Sequence, residues 1–205
     1  MHTKLAVFAS GTGSNFEAIL TRIETGDLKS VVVALLISNN SRCGAMAMAR
    51  KHGVRAVHVS STTNSNPVEY EKALLALLRG ERIDLIALAG YMKLLPADLV
   101  RAFARRIINI HPALLPRFGG TGMHGLNVHR AVLAAQAEKT GVTVHYVNES
   151  YDQGAVISQR DVPVLKDDTP EVLAARVLEV EHDLYWRVID SIVNHPHSED
   201  TTAPT

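Results

Sequence analysis

The sequence predicts an α/β fold: a mostly parallel twisted sheet with helices on both faces. Short apolar runs alternate with longer amphipathic stretches through the first half of the chain, the pattern of repeated strand–helix–strand units. The intervals between runs are short enough for right-handed crossovers. A third observation fixes the start: the glycine-bearing segment Ser10-Gly11-Thr12-Gly13-Ser14-Asn15 joins the first run to the first helical stretch.

Apolar runs at 5–9, 31–37, 54–59, 85–89 and 107–110 read as strands, with helical stretches at 15–25, 44–52, 67–78 and 96–103 between them. After His111 the pattern changes. Residues 117–125 carry Gly119, Gly120, Gly122 and Gly125, too many for regular structure, and are expected to form a mobile loop. A helix at 127–135 follows, then strands at 142–147 and 155–162 flanking a turn at 148–154. The last element is a long helix at 169–192, with Thr169 as N-cap and Pro170 in its first turn. The polar tail at 194–205 is expected to be disordered. No repeat and no long linker divides the chain, so residues 1–193 are expected to form one domain.

Bulk composition narrows the function classes. Of 205 residues, 46% are hydrophobic and 20% charged, which describes a globular chain with enough length for a core. Lys+Arg and Asp+Glu both number 21, so the formal net charge is zero and no basic surplus points to nucleic acid. The one cysteine, Cys43, cannot form an internal disulfide, which favours a cytoplasmic location. The short apolar run after Lys4 passes straight into Ser10-Gly11 and reads as a strand, not a signal peptide. No stretch reaches the roughly 20 apolar residues of a membrane span.

Two motifs carry chemistry. In Asn109-Ile110-His111-Pro112, a strand places an amide and an imidazole two residues apart, hence on one face. The amide is a neutral donor and acceptor; the imidazole can be a cationic donor near neutral pH. Such a pair suits a developing oxyanion. In the Gly11–Asn15 segment, glycines let the backbone approach an anion at a helix N-terminus, so a phosphate is expected there. The plainer reading is a tight turn with Ser14 or Asn15 as N-cap. A dinucleotide site fits poorly, because Phe16 stands where a third glycine would fall and Ser38-Asn39-Asn40 offers no carboxylate for a ribose. The N-terminal half is Rossmann-like with a single-phosphate site.

Asp152 lies in a loop between two strands. It reads either as a turn aspartate before Gly154 or as a partner that keeps His111 charged. His124, His129 and His145 make no recognisable metal spacing, and no metal is expected. Cys43 is expected to sit in a helix as a packing residue. Tyr91-Met92-Lys93-Leu94-Leu95 reads as core or as the wall of a flat-ring pocket.

In order, Gly11-Thr12-Gly13-Ser14-Asn15, Ile37-Ser38-Asn39-Asn40, Leu88-Ala89-Gly90-Tyr91-Met92, the run from Asn109 to Pro116, Gly141-Val142-Thr143-Val144-His145-Tyr146-Val147 and Asp152-Gln153-Gly154 resemble the phosphoribosylglycinamide formyltransferase family. The resemblance runs from about Lys4 to Ile192. It implies a formyltransferase fold, with a nucleotide-binding half over about 1–105 and a folate and catalytic half over about 106–193. It implies formyl transfer from the co-substrate 10-formyltetrahydrofolate to glycinamide ribonucleotide, with no metal. Asn109, His111 and Asp152 match the family's catalytic trio. Gly13, Ser14 and Asn15 match its ribose-phosphate loop, and Glu181 a ribose-holding glutamate. Met92, Lys93, Leu94 and Leu95, with Asn148, Glu149, Ser150, Tyr151 and Asp152, match segments lining the pterin pocket, together with Asn109.

Three departures stand out. Pro67 lies where the family commonly has an arginine for the folate tail, Leu178 matches a substrate-binding glutamine, and the 117–125 loop is longer than in many members and a candidate lid. Expected partners are the two small molecules, with no nucleic acid or membrane, and the chain is expected to act as a monomer or weak homodimer. The alternatives are another 10-formyltetrahydrofolate-using enzyme (a sugar-nucleotide or methionyl-tRNA formyltransferase, or a hydrolase) or a non-catalytic nucleotide-binding module.

Overall fold

Strands and helices alternate as the apolar pattern dictates. A computed structural model describes residues 2–60 and 66–195. Beyond Asn194 and His195, the tail expected to be disordered lies outside the described residues. The strands are β1 (Thr3–Phe8), β2 (Val31–Ser38), β3 (Ala56–His58), β4 (Leu85–Leu88), β5 (Ile107–His111), β6 (Lys139–Tyr146) and β7 (Val156–Pro163). The helices are α1 (Ser14–Glu24), α2 (Gly44–Lys51), α3 (Pro67–Gly80), α4 (Ala97–Ala102), α5 (Leu126–Ala134) and α6 (Pro170–Asn194).

The sheet runs β3-β2-β1-β4-β5-β6-β7. The first five strands pair in parallel, and β6 and β7 add antiparallel. Alternation along β1 shows both faces covered. Leu5 and Val7 pack with Phe16 and Ile19 of α1 and Leu184 and Val188 of α6. Ala6 and Phe8 join the opposite core, with Leu74 and Leu78 of α3 and Leu99 of α4. This is the mostly parallel α/β sheet the sequence predicts.

Local differences have local causes. The third strand spans Ala56–His58 instead of the six residues expected, because this edge strand pairs only with β2 at Leu36–Ser38. The sixth begins at Lys139, earlier than expected, because β7 continues the ladder to Pro163. Helix starts follow their caps: Asn66 accepts from the Val68 amide before Pro67, and Thr169 accepts from the Val172 amide before Pro170. The cysteine departs from expectation: Cys43 is the N-cap residue of α2, outside the helix, and its buried Sγ lies 3.2 Å from Ser38 Oγ.

From β1 the chain builds β2 to one side, while β4 pairs on the other. Connections leave β1 and β4 in opposite directions, which opens a crevice at their carboxyl ends.

Candidate active site

A cavity of about 930 Å³ fills that crevice. Its walls come from the turn after β1, residues 88–95 after β4, the end of β5, the 120–126 segment, the β6–β7 loop and one face of α6. Ser10 braces the mouth: its hydroxyl donates to Asn39 Oδ1 at 2.6 Å and accepts from the Met92 amide at 3.1 Å.

The turn after β1 presents its backbone to the cavity. Gly13 is the N-cap of α1, in the left-handed region at φ 88°, and no side chain caps the helix. A Cβ on Gly13 would come within 2.9 Å of Ala45 Cα, so conformation and space both demand glycine. Neither Ser14 nor Asn15 acts as the N-cap, which corrects the plainer reading of this turn. The first-turn amides are left without a side-chain acceptor, as an anion-binding helix start requires.

Asn15 turns across instead to the long helix: its Nδ2 donates to Glu181 Oε2 at 2.6 Å. Both residues are buried and line the cavity. Burial pushes the Glu181 carboxyl up to about 7, against the opposing pull of the Asn15 hydrogen bond. Glu181 faces inward because α6 is pinned one turn later, where the Tyr185 hydroxyl lies 2.9 Å from Leu88 O and 3.2 Å from Ile108 O.

The buried Glu181 carboxyl links the protein's stability to pH. The folded protein keeps a proton that the unfolded chain loses above about pH 4.5, so this group's stabilising contribution is full below 4.5 and lost as pH rises through about 7. Glu181→Gln, neutral at every pH, is expected to match wild type near pH 4.5. At pH 8 it is expected to be more stable by about 3 kcal/mol, or roughly 6–12 °C in melting temperature. Thermal melts at the two pH values check this; equal melting of the two proteins at pH 8 would remove the buried-carboxyl cost.

Asn109, His111 and Asp152 come together at the cavity floor. Asn109 and His111 lie two apart on β5, and both line the cavity. Asp152 arrives from the β6–β7 loop with φ 54°, unusual for a side-chain-bearing residue. Its Oδ2 lies 3.6 Å from His111 Nδ1, and its Oδ1 lies 3.4 Å from Asn109 Nδ2 and 3.6 Å from His145 Nε2. Asn109 Nδ2 donates to His145 Nε2 at 3.1 Å, while His145 Nδ1 donates to the Tyr146 carbonyl at 2.8 Å. One amide proton of Asn109 is thereby engaged. The other, at the long 3.4 Å contact, is available to an incoming oxygen.

Charges in the group are set by opposing effects. Burial lowers the His111 pKa and outweighs the Asp152 carboxylate, which raises it. Burial thus favours the neutral imidazole near neutral pH, against the reading in which Asp152 keeps His111 charged. Burial also works against the Asp152 charge, but His145 and His111 in their protonated forms and the Gly120 amide together hold its carboxyl below the ordinary range. Asp152 is a carboxylate, and His111 takes its second proton only when something supplies one.

The remaining expected residues divide. Met92, Lys93, Leu94 and Leu95 line the cavity, as do Ser150 and Tyr151. Asn148 and Glu149 do not: Glu149 pairs outward with Arg101 at 2.7 Å, and Asn148 Oδ1 caps the Ser150 amide at 3.0 Å. Leu178 lies on the wall beside Ala174 and Ala175, so this face of α6 is apolar. Pro67 serves as the first residue of α3. His145 is the member that sequence reasoning missed, and only the β5–β6 register, which sets it opposite Asn109, exposes it. Among the described residues no group of three or more His, Cys, Asp or Glu is arranged to hold a metal.

Comparison with known proteins agrees with this architecture. The formyl transferase family profile matches residues 3–189. The chain is 46% identical over 189 residues to the chloroplastic phosphoribosylglycinamide formyltransferase of Vigna unguiculata, covering 92% of this chain and 60% of that protein. It thus spans under two thirds of the length of the chloroplastic relatives it matches. It is 37% identical to the phosphoribosylglycinamide formyltransferase of Bacillus subtilis, covering 93% of this chain and 94% of that one. The crystal structure of the Bacillus halodurans phosphoribosylglycinamide formyltransferase superimposes with a TM-score of 0.88 at 33% identity, over 98% of this chain and 100% of that one. A profile that matches nearly the whole chain, a full-length relative and a shared fold place this chain in the formyl transferase family, with the phosphoribosylglycinamide formyltransferases.

Proposed function

We propose that this protein transfers the formyl group of 10-formyltetrahydrofolate to the amine of glycinamide ribonucleotide, in purine biosynthesis. The observation that carries the reading is one cavity holding three parts: an uncapped helix start for a phosphate, an apolar wall for a flat ring, and Asn109, His111 and Asp152 between them. The wall includes Leu88, Met92, Leu94, Leu95 and Val147. Lys93 is the one lysine or arginine on it among the described residues, placed to meet an anionic part of either ligand.

The chemistry follows from the charges. The substrate amine attacks the formyl carbon, and the carbonyl oxygen becomes an oxyanion beside Asn109 Nδ2. The neutral His111 Nδ1 accepts the proton lost by the amine, and the Asp152 carboxylate stabilises the imidazolium that forms. That proton passes to N10 of the folate as the carbon–nitrogen bond breaks, leaving the formylated amine and tetrahydrofolate. No metal enters the scheme. Asn15 and Glu181 hold the ribose, and the amides at 13–15 its phosphate. The protein acts on these small molecules in the cytoplasm, as a monomer or weak homodimer. No helix among the described residues is long and apolar enough to cross a membrane.

The test is a formyl-transfer assay with glycinamide ribonucleotide and 10-formyltetrahydrofolate beside a water-only control. Release of tetrahydrofolate without formylated ribonucleotide would make the protein a hydrolase. Calorimetric titration separates this reading from a nucleotide-binding module. Glycinamide ribonucleotide is expected to bind and inorganic phosphate to compete, while NAD leaves no signal, since β2 ends in Ser38 and continues through Asn39-Asn40 without a carboxylate. Binding of NAD that phosphate does not affect would reverse it.

A further inference from the structure

The 117–125 segment does more than border the cavity. Phe118 O lies 2.8 Å from His111 Nε2, and two residues later the Gly120 amide donates to Asp152 Oδ2 at 2.9 Å. Two backbone atoms, on either side of Gly119, thus contact both members of the His111–Asp152 pair. Between the two contacts, Gly119 passes so close that a Cβ there would meet Leu115 Cδ2 at 2.5 Å and Asp152 Cβ at 3.2 Å. Its φ lies outside the left-handed region, so the close approach, and not backbone conformation, is what a side chain would disturb at this position. Phe118 does adopt a left-handed φ of 58°, with its ring packed on the core and the Arg117 guanidinium 4.9 Å from the ring centre.

We infer that Phe118, Gly119 and Gly120 form a backbone clasp that sets the His111 tautomer and the Asp152 rotamer, making them positioning residues for the proposed reaction. The logic is one of donors and acceptors. A carbonyl oxygen only accepts, so Phe118 O keeps a proton on His111 Nε2. Nδ1 is then the nitrogen whose lone pair is open to a transferred proton, and it is the nitrogen facing Asp152. An amide only donates, so Gly120 N–H fixes Asp152 Oδ2 toward that nitrogen and leaves Oδ1 toward Asn109 and His145. Without the carbonyl, the neutral ring is free to carry its proton on Nδ1, where it cannot accept the proton of the attacking amine.

The inference rests on the proposed formyl transfer, so its test has a readout apart from activity. In protein labelled with ¹⁵N-histidine, two-bond ¹H–¹⁵N spectra report the tautomer of His111, assigned by its loss in His111→Ala. Above its titration, wild-type His111 is expected as a single Nε2–H form. Gly119→Ala is expected to give a mixture of tautomers and to lower kcat about ten- to a hundredfold, with KM changed less than about twofold. If Gly119→Ala does not fold, the wild-type spectrum still decides, and so does Gly120 amide exchange, which is expected to be protected in wild type and fast in Asp152→Ala. A wild-type His111 in the Nδ1–H form or in a tautomer mixture, an unprotected Gly120 amide, or a Gly119→Ala enzyme with normal kcat would each overturn the clasp. Wild-type protein that transfers formyl normally while showing such a mixture loses the clasp and keeps the reaction. Absence of transfer by wild type, read in the assay alone, removes the reaction and with it the clasp's role.

Discussion

Asn109→Ala is expected to lower kcat for formyl transfer about 10²–10³-fold, the usual cost of one oxyanion donor, with ligand affinities little changed. His111→Ala is expected to fall at least as far, because it removes the group that receives the amine's proton, a step worth about 10²–10⁴. The basis is geometric. Both side chains meet the cavity from β5, and the free proton of the Asn109 amide lies on the side of His111 and Asp152. In the proposed reaction, ground-state binding falls to the turn after β1 and the apolar wall, so the loss is expected in kcat and not in KM. Steady-state kinetics with calorimetry on each variant separates the two. A variant that keeps near-normal kcat, or whose whole defect lies in KM, excludes that residue from the chemical step.

Asp152→Asn is expected to keep its fold and lose about 10²–10⁴ in kcat, as for loss of a group acting in proton transfer. The amide oxygen can still accept from Gly120 N–H, so the loop connection survives. What is lost is the negative charge 3.6 Å from His111 Nδ1. That charge raises the His111 pKa against burial, so its removal lowers the value further. In the proposed reaction the neutral imidazole is the active form, so the acid limb of the pH–rate profile is expected to lie below 6.5 in wild type and at lower pH still in the variant. Full activity with an unmoved acid limb would make Asp152 a turn residue and nothing more.

How much of this was legible in the chain varies with the range of the signal. Strands β1, β2, β4 and β5 and the long helix α6 follow from local pattern, since apolar runs and Thr169-Pro170 are read within a few residues. The pairing of Asn109 with His111 is equally local, a consequence of the two-residue period of β5. The turn after β1 was recognisable as a glycine-bearing link into a helix start, but its capping was not. The N-cap Gly13 is held to glycine by its left-handed φ and by Ala45, which leaves no room for a Cβ, a contact between segments some thirty residues apart in sequence.

By itself the sequence determined the α/β class, the order of its elements and the chemical types gathered in its motifs, because propensity, capping and strand periodicity act over short distances. The tertiary structure alone decided which polar groups meet. The antiparallel register of β5 and β6 puts His145 opposite Asn109, and the β6–β7 loop brings Asp152 to His111. Asn148 and Glu149, though adjacent to Asp152, are turned away by contacts with the Ser150 amide and Arg101. Protonation followed the same division. The sequence left open whether Asp152 keeps His111 charged, and only the burial of His111, a property of the packed molecule, pulls its pKa down against that carboxylate.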